Sequence, residues 1–494
     1  MKSRHLAVIS LSGAIGTGLF VNSGATLSLT GPAPMLIGYL VFSIVVFFIM
    51  NILAEMASFL SFSKNGSGAA IFINDYLSHD LGFTLAYNYL YIGVIYVAAE
   101  ISVIPALFDY FCNVNAAVWI SVFLVLILFW FGYIKLVTIV GLIILGIVIF
   151  FGGAPNHDRL GFRYWKNGKA FKEYLVGGDT GKFLSVWTAI IKTGFSFTSS
   201  PELVVAGAAE VERPRRNIRK AANSFVYRLI IFYVISSIVI GCIVDSNNDQ
   251  LYGSSDTSSG SPFVLGIKNA GIPVLNQIVN AVFITSAASS ANSWVYFSSR
   301  ALFSLSKRGL APKIFSKTNR HQIPLISVLS CWSIGGLAYL NVSSSSAQVF
   351  SWLSNITTIS GFISWIFVGF AYLRWRKAIE YHELSDRVPY RTPFQPYGTY
   401  FVIFFVVVLG ITNGYAVFFN FNMSDFFAAY LTIIFVSVLY IGRRIYTYMK
   451  GERSWITPIE EISFDGLDQF EAENEAYPEL IPRNFAEKVL YIII

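Results

Sequence analysis

Long apolar stretches separated by short polar segments recur along almost the whole chain. The stretches are about 17 to 25 residues long, the length that an α-helix needs to cross a hydrocarbon core about 30 Å thick. They are continuously apolar, as at 36–50 and 401–409, whereas a transmembrane β-barrel has alternating segments of about ten residues. The pattern predicts an all-α polytopic membrane protein with about twelve spans, near 6–29, 34–60, 82–111, 115–131, 134–151, 185–208, 225–245, 273–304, 324–342, 347–373, 398–421 and 425–442.

Two of these spans contain helix-breaking residues near their middle. Ser12–Gly18 reads SGAIGTG in the first span, and Gly194–Leu203 reads GFSFTSSPEL in the sixth. Hydrocarbon cannot hydrogen-bond a freed backbone group, so irregular backbone at membrane depth survives only where it lines a cavity inside the protein. We therefore predict that both helices unwind and that the two unwound segments form one site for a polar ligand.

Composition and charge support a membrane protein with a defined orientation. Of 494 residues, 55% are hydrophobic and 13% are charged, with a net charge of +7. Lys and Arg concentrate in 209–228, 305–323 and 374–397, which all lie in the cytoplasm if both termini do. The positive charge thus indicates topology rather than nucleic-acid binding. The first span lacks a small-residue cleavage site and is predicted to be a retained helix rather than a signal peptide.

The two interrupted helices each stand at the head of five spans, which predicts two repeats. The second interrupted helix is the fifth span after the first. Because five is odd, the two helices cross the membrane in opposite directions, and the repeats are inverted. The predicted organisation is a first repeat at 1–151, an extracellular loop at 152–184, a second repeat at 185–373, two further helices at 374–448 and an acidic, largely disordered cytoplasmic tail at 449–494.

The chemistry of the two interruptions favours a zwitterion. Unpaired N–H groups between Gly13 and Gly18 would attract an anion such as a carboxylate, and carbonyls freed near Pro201 would accept from an ammonium group. An α-amino acid carries both charges, and Phe195 and Phe197 could close over its side chain. The alternatives are close helix packing at the glycines and a kink that binds no ligand.

Glu100 and Glu202 are the acids predicted to lie deepest in the membrane, where an ionisable group is costly and is usually functional. Both are candidates for carrying a proton across the membrane, and for both the alternative is a structural role. No catalytic signature is present, so the chain is not predicted to be an enzyme. The cysteines lack metal-site or disulfide spacing, and no metal or cofactor other than a proton gradient is expected.

The chain resembles the fungal amino acid permeases of the amino acid/polyamine/organocation superfamily. The residues that carry the resemblance are Ser12–Phe20, Gly31–Ala33, Asn51–Ala57, Glu100 in AAEISV, Gly194–Leu203, Glu210–Ala221 and Ser299–Pro312. The resemblance implies the fold of the leucine transporter, with its five-plus-five inverted repeat and two C-terminal helices. It also implies proton-coupled import of amino acids across the plasma membrane.

Residue roles follow from the same resemblance. The first interruption resembles the carboxylate-binding segment, which is formed by Ala14, Ile15, Gly16, Thr17 and Gly18. The second resembles the segment that binds the α-amino group, which is formed by Ser196, Phe197, Thr198, Ser199 and Ser200. Glu100 resembles the acid of the third helix that is linked to substrate and proton.

The sequence departs from the family pattern in three places. Ser199-Ser200-Pro201-Glu202 stands where the family usually has Gly-Thr-Glu, and Arg219 where it commonly has Pro. The connection between the fourth and fifth spans is about fifteen residues shorter, which predicts a tight turn at Gly132. A non-transporting amino acid sensor and a transport-defective truncated form therefore stand as alternatives to a transporter, and the oligomeric state stays open.

Overall fold

The computed structural model describes residues 16–60, 68–111, 114–127, 132–198, 200–206, 214–251, 260–451 and 453–475. Its α-helices in the first half are α1 (Thr17–Phe20), α2 (Asn22–Thr30), α3 (Pro32–Phe59), α4 (Ala70–Tyr76), α5 (His79–Phe108), α6 (Ala116–Leu126), α7 (Gly132–Phe150), α8 (Gly178–Phe197) and α9 (Ser200–Ala206). Those in the second half are α10 (Pro214–Ile243), α11 (Pro262–Asn269), α12 (Pro273–Lys307), α13 (Leu325–Ser333), α14 (Ser346–Tyr381), α15 (Tyr397–Thr412), α16 (Met423–Met449) and α17 (Leu467–Glu475). Short 3₁₀ helices lie at Arg163–Trp165, Lys313–Ser316, Ile334–Val342, Ser385–Arg387 and Tyr415–Phe418.

The helices account for the twelve predicted spans. Within the described ranges, eight helical stretches are long and apolar enough to cross a membrane. The remaining four spans correspond to the pair α1 and α2, the short helices α6 and α7, and the pair α8 and α9. The chain is thus an all-helical, multi-pass membrane protein, in which each spanning helix satisfies its own backbone hydrogen bonds.

Helix α5 lies at the centre of the bundle. In the most apolar 18-residue stretch of α5, 83% of the residues are buried inside the protein. The corresponding share is 22% for the spans that contain α15 and α16. It packs against α12 and α14, while α3 packs against α10 and α8. Small residues permit this close packing: a Cβ atom added to Gly93 of α5 would lie 2.7 Å from the Ser298 Cβ atom of α12. The helices that could carry a site therefore surround α5, and α15 and α16 lie at the periphery.

The short connection between the fourth and fifth spans joins two separate helices. Helix α6 has 11 residues, or about 16 Å at 1.5 Å per residue, and packs against α5 and Ile334–Val342. Helix α7 begins at Gly132 and packs against α10 and α12 instead. Helix α6 ends at Leu126, and the two helices have different neighbours in the bundle. The tight turn was predicted at Gly132, which is the first residue of α7, and residues 128–131 before it lie outside the described part.

The segment after α16 differs from its predicted disorder. Between residues 453 and 475 the chain folds back onto the ends of the helices, where the Thr457 amide donates to the Leu77 carbonyl at 3.0 Å. The Phe464 ring lies 5.4 Å from Phe59 and 5.7 Å from His382. Arg387 forms ion pairs of 2.5 and 2.6 Å with two acids of α17, Asp468 and Glu471. A small number of apolar and charged side chains therefore attach this segment to the helix ends, although its composition predicts disorder. The inverted-repeat boundaries predicted above stay a prediction.

Candidate functional site

The first interruption lies at the start of the described chain. Gly16 has the non-helical angles φ −130° and ψ −145°, and α1 begins at the next residue, Thr17. A second irregularity follows at Val21, with φ −122° and ψ −52°, between α1 and α2. The backbone of the first span is therefore irregular at Gly16 and again five residues later, at Val21. Ala14 and Ile15 lie outside the described residues.

The second interruption separates α8 from α9. Thr198 has the extended angles φ −60° and ψ 142° directly after the end of α8, and the helix resumes at Ser200. Pro201 fits the first turn of α9 because a backbone N–H at that position has no helical acceptor. The Ser200 hydroxyl donates to the Phe197 carbonyl at 2.6 Å, which satisfies one group freed by the break. Ser199 lies outside the described residues.

The two interruptions contact each other directly. The Ser196 hydroxyl donates to the Gly18 carbonyl at 2.9 Å. A Cβ atom added to Gly18 would lie 2.9 Å from the Ser196 oxygen and 3.0 Å from its Cα atom. Glycine at position 18 is thus required for the backbones of the two broken helices to approach this closely.

Tyrosine hydroxyls lie against the freed carbonyls of the second interruption. The Tyr96 hydroxyl lies 3.0 Å from the Phe195 carbonyl oxygen, 3.1 Å from that of Thr198 and 2.9 Å from the Thr198 hydroxyl. The Tyr233 hydroxyl donates to the Ser196 carbonyl at 3.1 Å. The sequence analysis did not identify these two tyrosines, which belong to α5 and α10. A bound ammonium group would share these carbonyls with them or displace them.

Glu100 of α5 connects the first interruption to a third helix. Its carboxylate accepts from the Thr17 amide at 3.3 Å and from the Ser290 hydroxyl of α12 at 2.9 Å. A Cβ atom added to Gly16 would lie 2.5 Å from the carboxylate, so a glycine is needed for this approach. Glu100 is 2% exposed.

Lys135 of α7 is a site residue that the sequence analysis did not identify. Its side chain is 1% exposed, and its charge interacts with that of Glu100. A lysine near the start of an apolar span ordinarily reaches the membrane surface with its long side chain. Its sequence context could have identified it. Helix α7 has few other polar residues, so a lysine there needs a partner on another helix.

Glu202 occupies the first turn of α9, on the far side of the break from α8. Its Oε1 atom accepts from the Trp365 indole N–H at 2.7 Å. Its Oε2 atom is buried and has no hydrogen-bond partner among the described residues. The structure therefore does not bring Glu202 into contact with Glu100: each acid has its own set of partners.

Aromatic rings enclose the space between the interruptions. Tyr96 stacks on Trp294 with centroids 4.1 Å apart and on Phe195 at 5.2 Å, and Phe350 meets Phe195 edge-on at 5.2 Å. The cavity between them is lined by Gly18, Tyr96, Glu100, Phe195, Ser196, Thr198 and Trp294, and its volume is about 10 Å³. That is far below the roughly 300–1,000 Å³ of ligand pockets, so the space is nearly closed in this conformation and must widen to admit a ligand.

The two phenylalanines predicted to close the site have different surroundings. Phe195 lines the cavity, whereas Phe197 packs in the core between Tyr39, Phe42 and Tyr233, with ring centroids 4.7 to 6.0 Å apart. Only Phe195 is placed to contact a ligand in the space between the interruptions. Residues two positions apart on a helix point to nearly opposite sides, and the sequence alone does not show which of the two faces the cavity.

Comparison with known proteins gives consistent results. The model of the family described as amino acid permease matches residues 5–454. The chain is similar to a proline-specific permease of Emericella nidulans, at 45% identity over 100% of this chain and 92% of the relative. It is also similar to a proline-specific permease of Saccharomyces cerevisiae, at 42% identity over 99% and 82%, and to a lysine-specific permease of the same yeast, at 35% over 99% and 81%.

Among solved structures, the fold is similar to that of a manganese transporter of Eremococcus coleocola. The TM-score is 0.55 at 12% sequence identity, over 93% of this chain and 95% of the other. A second structure of that transporter, a mutant, gives a TM-score of 0.58 at 13% identity. At such low identity the similarity concerns the arrangement of helices and not the ligand.

Proposed function

Because the chain belongs to the amino acid permease family, we propose that it is a secondary active transporter that imports amino acids by alternating access, driven by protons. It is a permease and not an enzyme. The contact between the two interruptions, made by Ser196 and Gly18, is the observation that supports the proposal most directly. It places irregular backbone of two helices around one small cavity inside a membrane protein, as a polar substrate requires.

Proline is the substrate that we propose first. Two of the relatives above, at 45% and 42% identity, are named proline-specific permeases, against 35% for the lysine-specific one. The cavity supports a small apolar side chain, because its walls are the rings of Tyr96, Phe195 and Trp294. Glu100, the one acid among the lining residues, already accepts from Thr17 and Ser290.

Within this proposal the carboxylate of the substrate binds near Gly16, Thr17 and Gly18, and its amino group binds the carbonyls of Phe195, Ser196 and Thr198. Glu100 is placed to carry the proton. It contacts the first interruption through Thr17, and its charge interacts with that of Lys135 on α7. Protonation of Glu100 would weaken both interactions, so the proton could change how α5 is held against α1 and α7.

The proposed location is the plasma membrane, with both termini in the cytoplasm. The orientation rests on the excess of Lys and Arg in 209–228, 305–323 and 374–397. An amino acid sensor that binds without transporting remains the second candidate, supported by a C-terminal segment, 453–475, that docks on the helix ends and could report their position.

Uptake of labelled L-proline into permease-deficient yeast cells tests the proposal, with and without a protonophore. We expect accumulation that the protonophore abolishes and that unlabelled proline competes for more strongly than lysine or glutamate. Glu100→Gln should reduce accumulation more than it reduces binding, whereas Glu461→Gln, an exposed acid of the C-terminal segment, should change neither. Binding without accumulation would favour the sensor, and accumulation that is unchanged in Glu100→Gln would refute the proton role.

A further inference from the structure

A second cavity lies on the other side of the second interruption from the central one. Its volume is about 30 Å³, far below the roughly 300–1,000 Å³ of ligand pockets, so it must widen during the transport cycle to hold an amino acid. Helices α4, α5, α9 and α12 form its walls, and the polar side chains that line it are Tyr89, Glu202, Arg300, Ser304 and Arg308. None of these residues belongs to the central cavity, so this inner cavity is a separate space.

Three chain segments line both cavities, one after the other. On α12, Trp294 lines the central cavity, and Arg300 lines the inner one, about 9 Å farther along a helix that rises 1.5 Å per residue. On α5, Tyr96 lines the central cavity and Tyr89 the inner one. Across the break, Thr198 lines the central cavity and Glu202 the inner one. The two cavities therefore follow one another along the same three segments of the bundle.

The inner cavity presents both signs of charge. Glu202 is 1% exposed, and its Oε2 atom has no hydrogen-bond partner within the described part of the chain. Arg300 supplies a guanidinium group, which lies 5.3 Å from the centre of the Tyr296 ring. Arg308, the residue directly after α12, donates to the Asn74 side chain of α4 at 2.9 Å. A buried carboxylate oxygen without a donor is costly, which favours a cationic ligand at that position.

We propose that the inner cavity is a release site for the zwitterionic amino acid. The ammonium group of the departing substrate binds Oε2 of Glu202, and its carboxylate binds the guanidinium group of Arg300. The proposal rests on the proposed transport function and on the orientation that places the end of α12 in the cytoplasm. It assigns Glu202 a role in substrate release, separate from the proton role of Glu100.

A release site predicts a specific asymmetry between the two sides of the membrane. An amino acid that accumulates inside should rebind at the inner cavity. While it is bound there, the transporter cannot return empty to the outward-facing state, so further import slows. Removal of Arg300 should weaken this inhibition from inside, and it should leave binding from outside unchanged because Arg300 does not line the central cavity.

The test uses the full chain reconstituted in vesicles whose protein orientation is measured by protease accessibility. Vesicles are loaded with a series of unlabelled L-proline concentrations, and initial uptake of labelled L-proline is measured. For Arg300→Gln we expect the internal concentration that halves uptake to rise about tenfold, as loss of one charge-assisted hydrogen bond implies, with the external KM within about twofold of the wild type. Glu202→Gln should shift the internal value in the same direction.

Two further variants keep the result interpretable. Arg300→Lys retains the charge and should shift the internal value by less than Arg300→Gln. Arg320→Gln removes an equal charge from an exposed position in the segment after α12 and should shift nothing.

An unchanged internal value in Arg300→Gln, an equal shift in Arg320→Gln, or an external KM raised as much as the internal value would each overturn the release site. So would a Glu202→Gln protein that changes only the pH dependence of uptake, since that would assign Glu202 to the proton alone. Wild-type protein that takes up no labelled amino acid would instead refute the transport function, and the release site with it.

Discussion

Replacement of Tyr96 by phenylalanine is expected to tighten substrate binding, although Tyr96 lines the cavity. Its hydroxyl lies within hydrogen-bond distance of two carbonyls, those of Phe195 and Thr198, at 3.0 and 3.1 Å. A hydroxyl has one hydrogen, so it satisfies the ligand-free break incompletely. In Tyr96→Phe the carbonyls lose this donor, and a buried acceptor without a partner costs about 1–3 kcal/mol.

The proposed ammonium group of the substrate replaces the missing donor. The substitution therefore destabilises the bound state less than the ligand-free state. This difference in free energy makes substrate binding tighter. A difference of about 1.4 kcal/mol corresponds to a tenfold lower Kd. The ligand-free protein should at the same time unfold at a lower temperature than the wild type, and saturating substrate should remove most of that deficit.

Equilibrium binding of labelled L-proline to the purified protein measures the effect, with thermal unfolding in the presence and absence of ligand. Tyr87→Phe is the matched control: the Tyr87 hydroxyl of the same helix donates to the Leu310 carbonyl at 2.7 Å, away from the central cavity. It should lower stability without changing Kd. A Kd for Tyr96→Phe equal to or higher than that of the wild type would refute the idea that the hydroxyl occupies the position of the substrate's amino group.

Two other substitutions test the packing around the site and the docked C-terminal segment. Gly16→Ala should reduce uptake at least about tenfold because its Cβ atom would lie 2.5 Å from Glu100 and displace that carboxylate, and Gly16→Leu should abolish binding. Gly141→Ala on α7, where a Cβ atom meets nothing within 4 Å, should leave uptake unchanged, and equal uptake by Gly16→Ala would contradict the close approach. Phe464→Ala removes ring contacts with Phe59 and His382 and should speed proteolysis within 453–475 about fivefold. Ile456→Ala, at a side chain that is 48% exposed, should not, and equal rates for the two variants would show that Phe464 does not hold the segment.

The C-terminal segment shows where composition misleads. Its acids and scarce apolar residues predict disorder, yet Phe464 and the ion pairs of Arg387 attach it to helix ends that are distant in sequence. Only the folded bundle brings Phe59, His382 and Arg387 to one surface. A segment that could not form a core by itself therefore docks on a core formed by others.

The class of protein, the spans and the positions of the two interruptions can be read from the sequence. These are local properties: apolar length decides whether a helix crosses a bilayer, and Gly and Pro weaken a helix where they occur. The motifs also determined the family, since they extend over nearly the whole chain.

Which groups meet at the interruptions depends on how the helices pack together. The hydroxyls of Tyr96 and Tyr233 at the freed carbonyls, the charge of Lys135 near Glu100, and the different surroundings of Phe195 and Phe197 depend on how each helix is rotated about its axis. That rotation is fixed by packing between helices far apart in sequence, such as α5 with α12 and α14. An apolar span with hydrophobic residues on all sides carries little periodic signal for its rotation, so the partners of each site residue emerged only from the packed bundle.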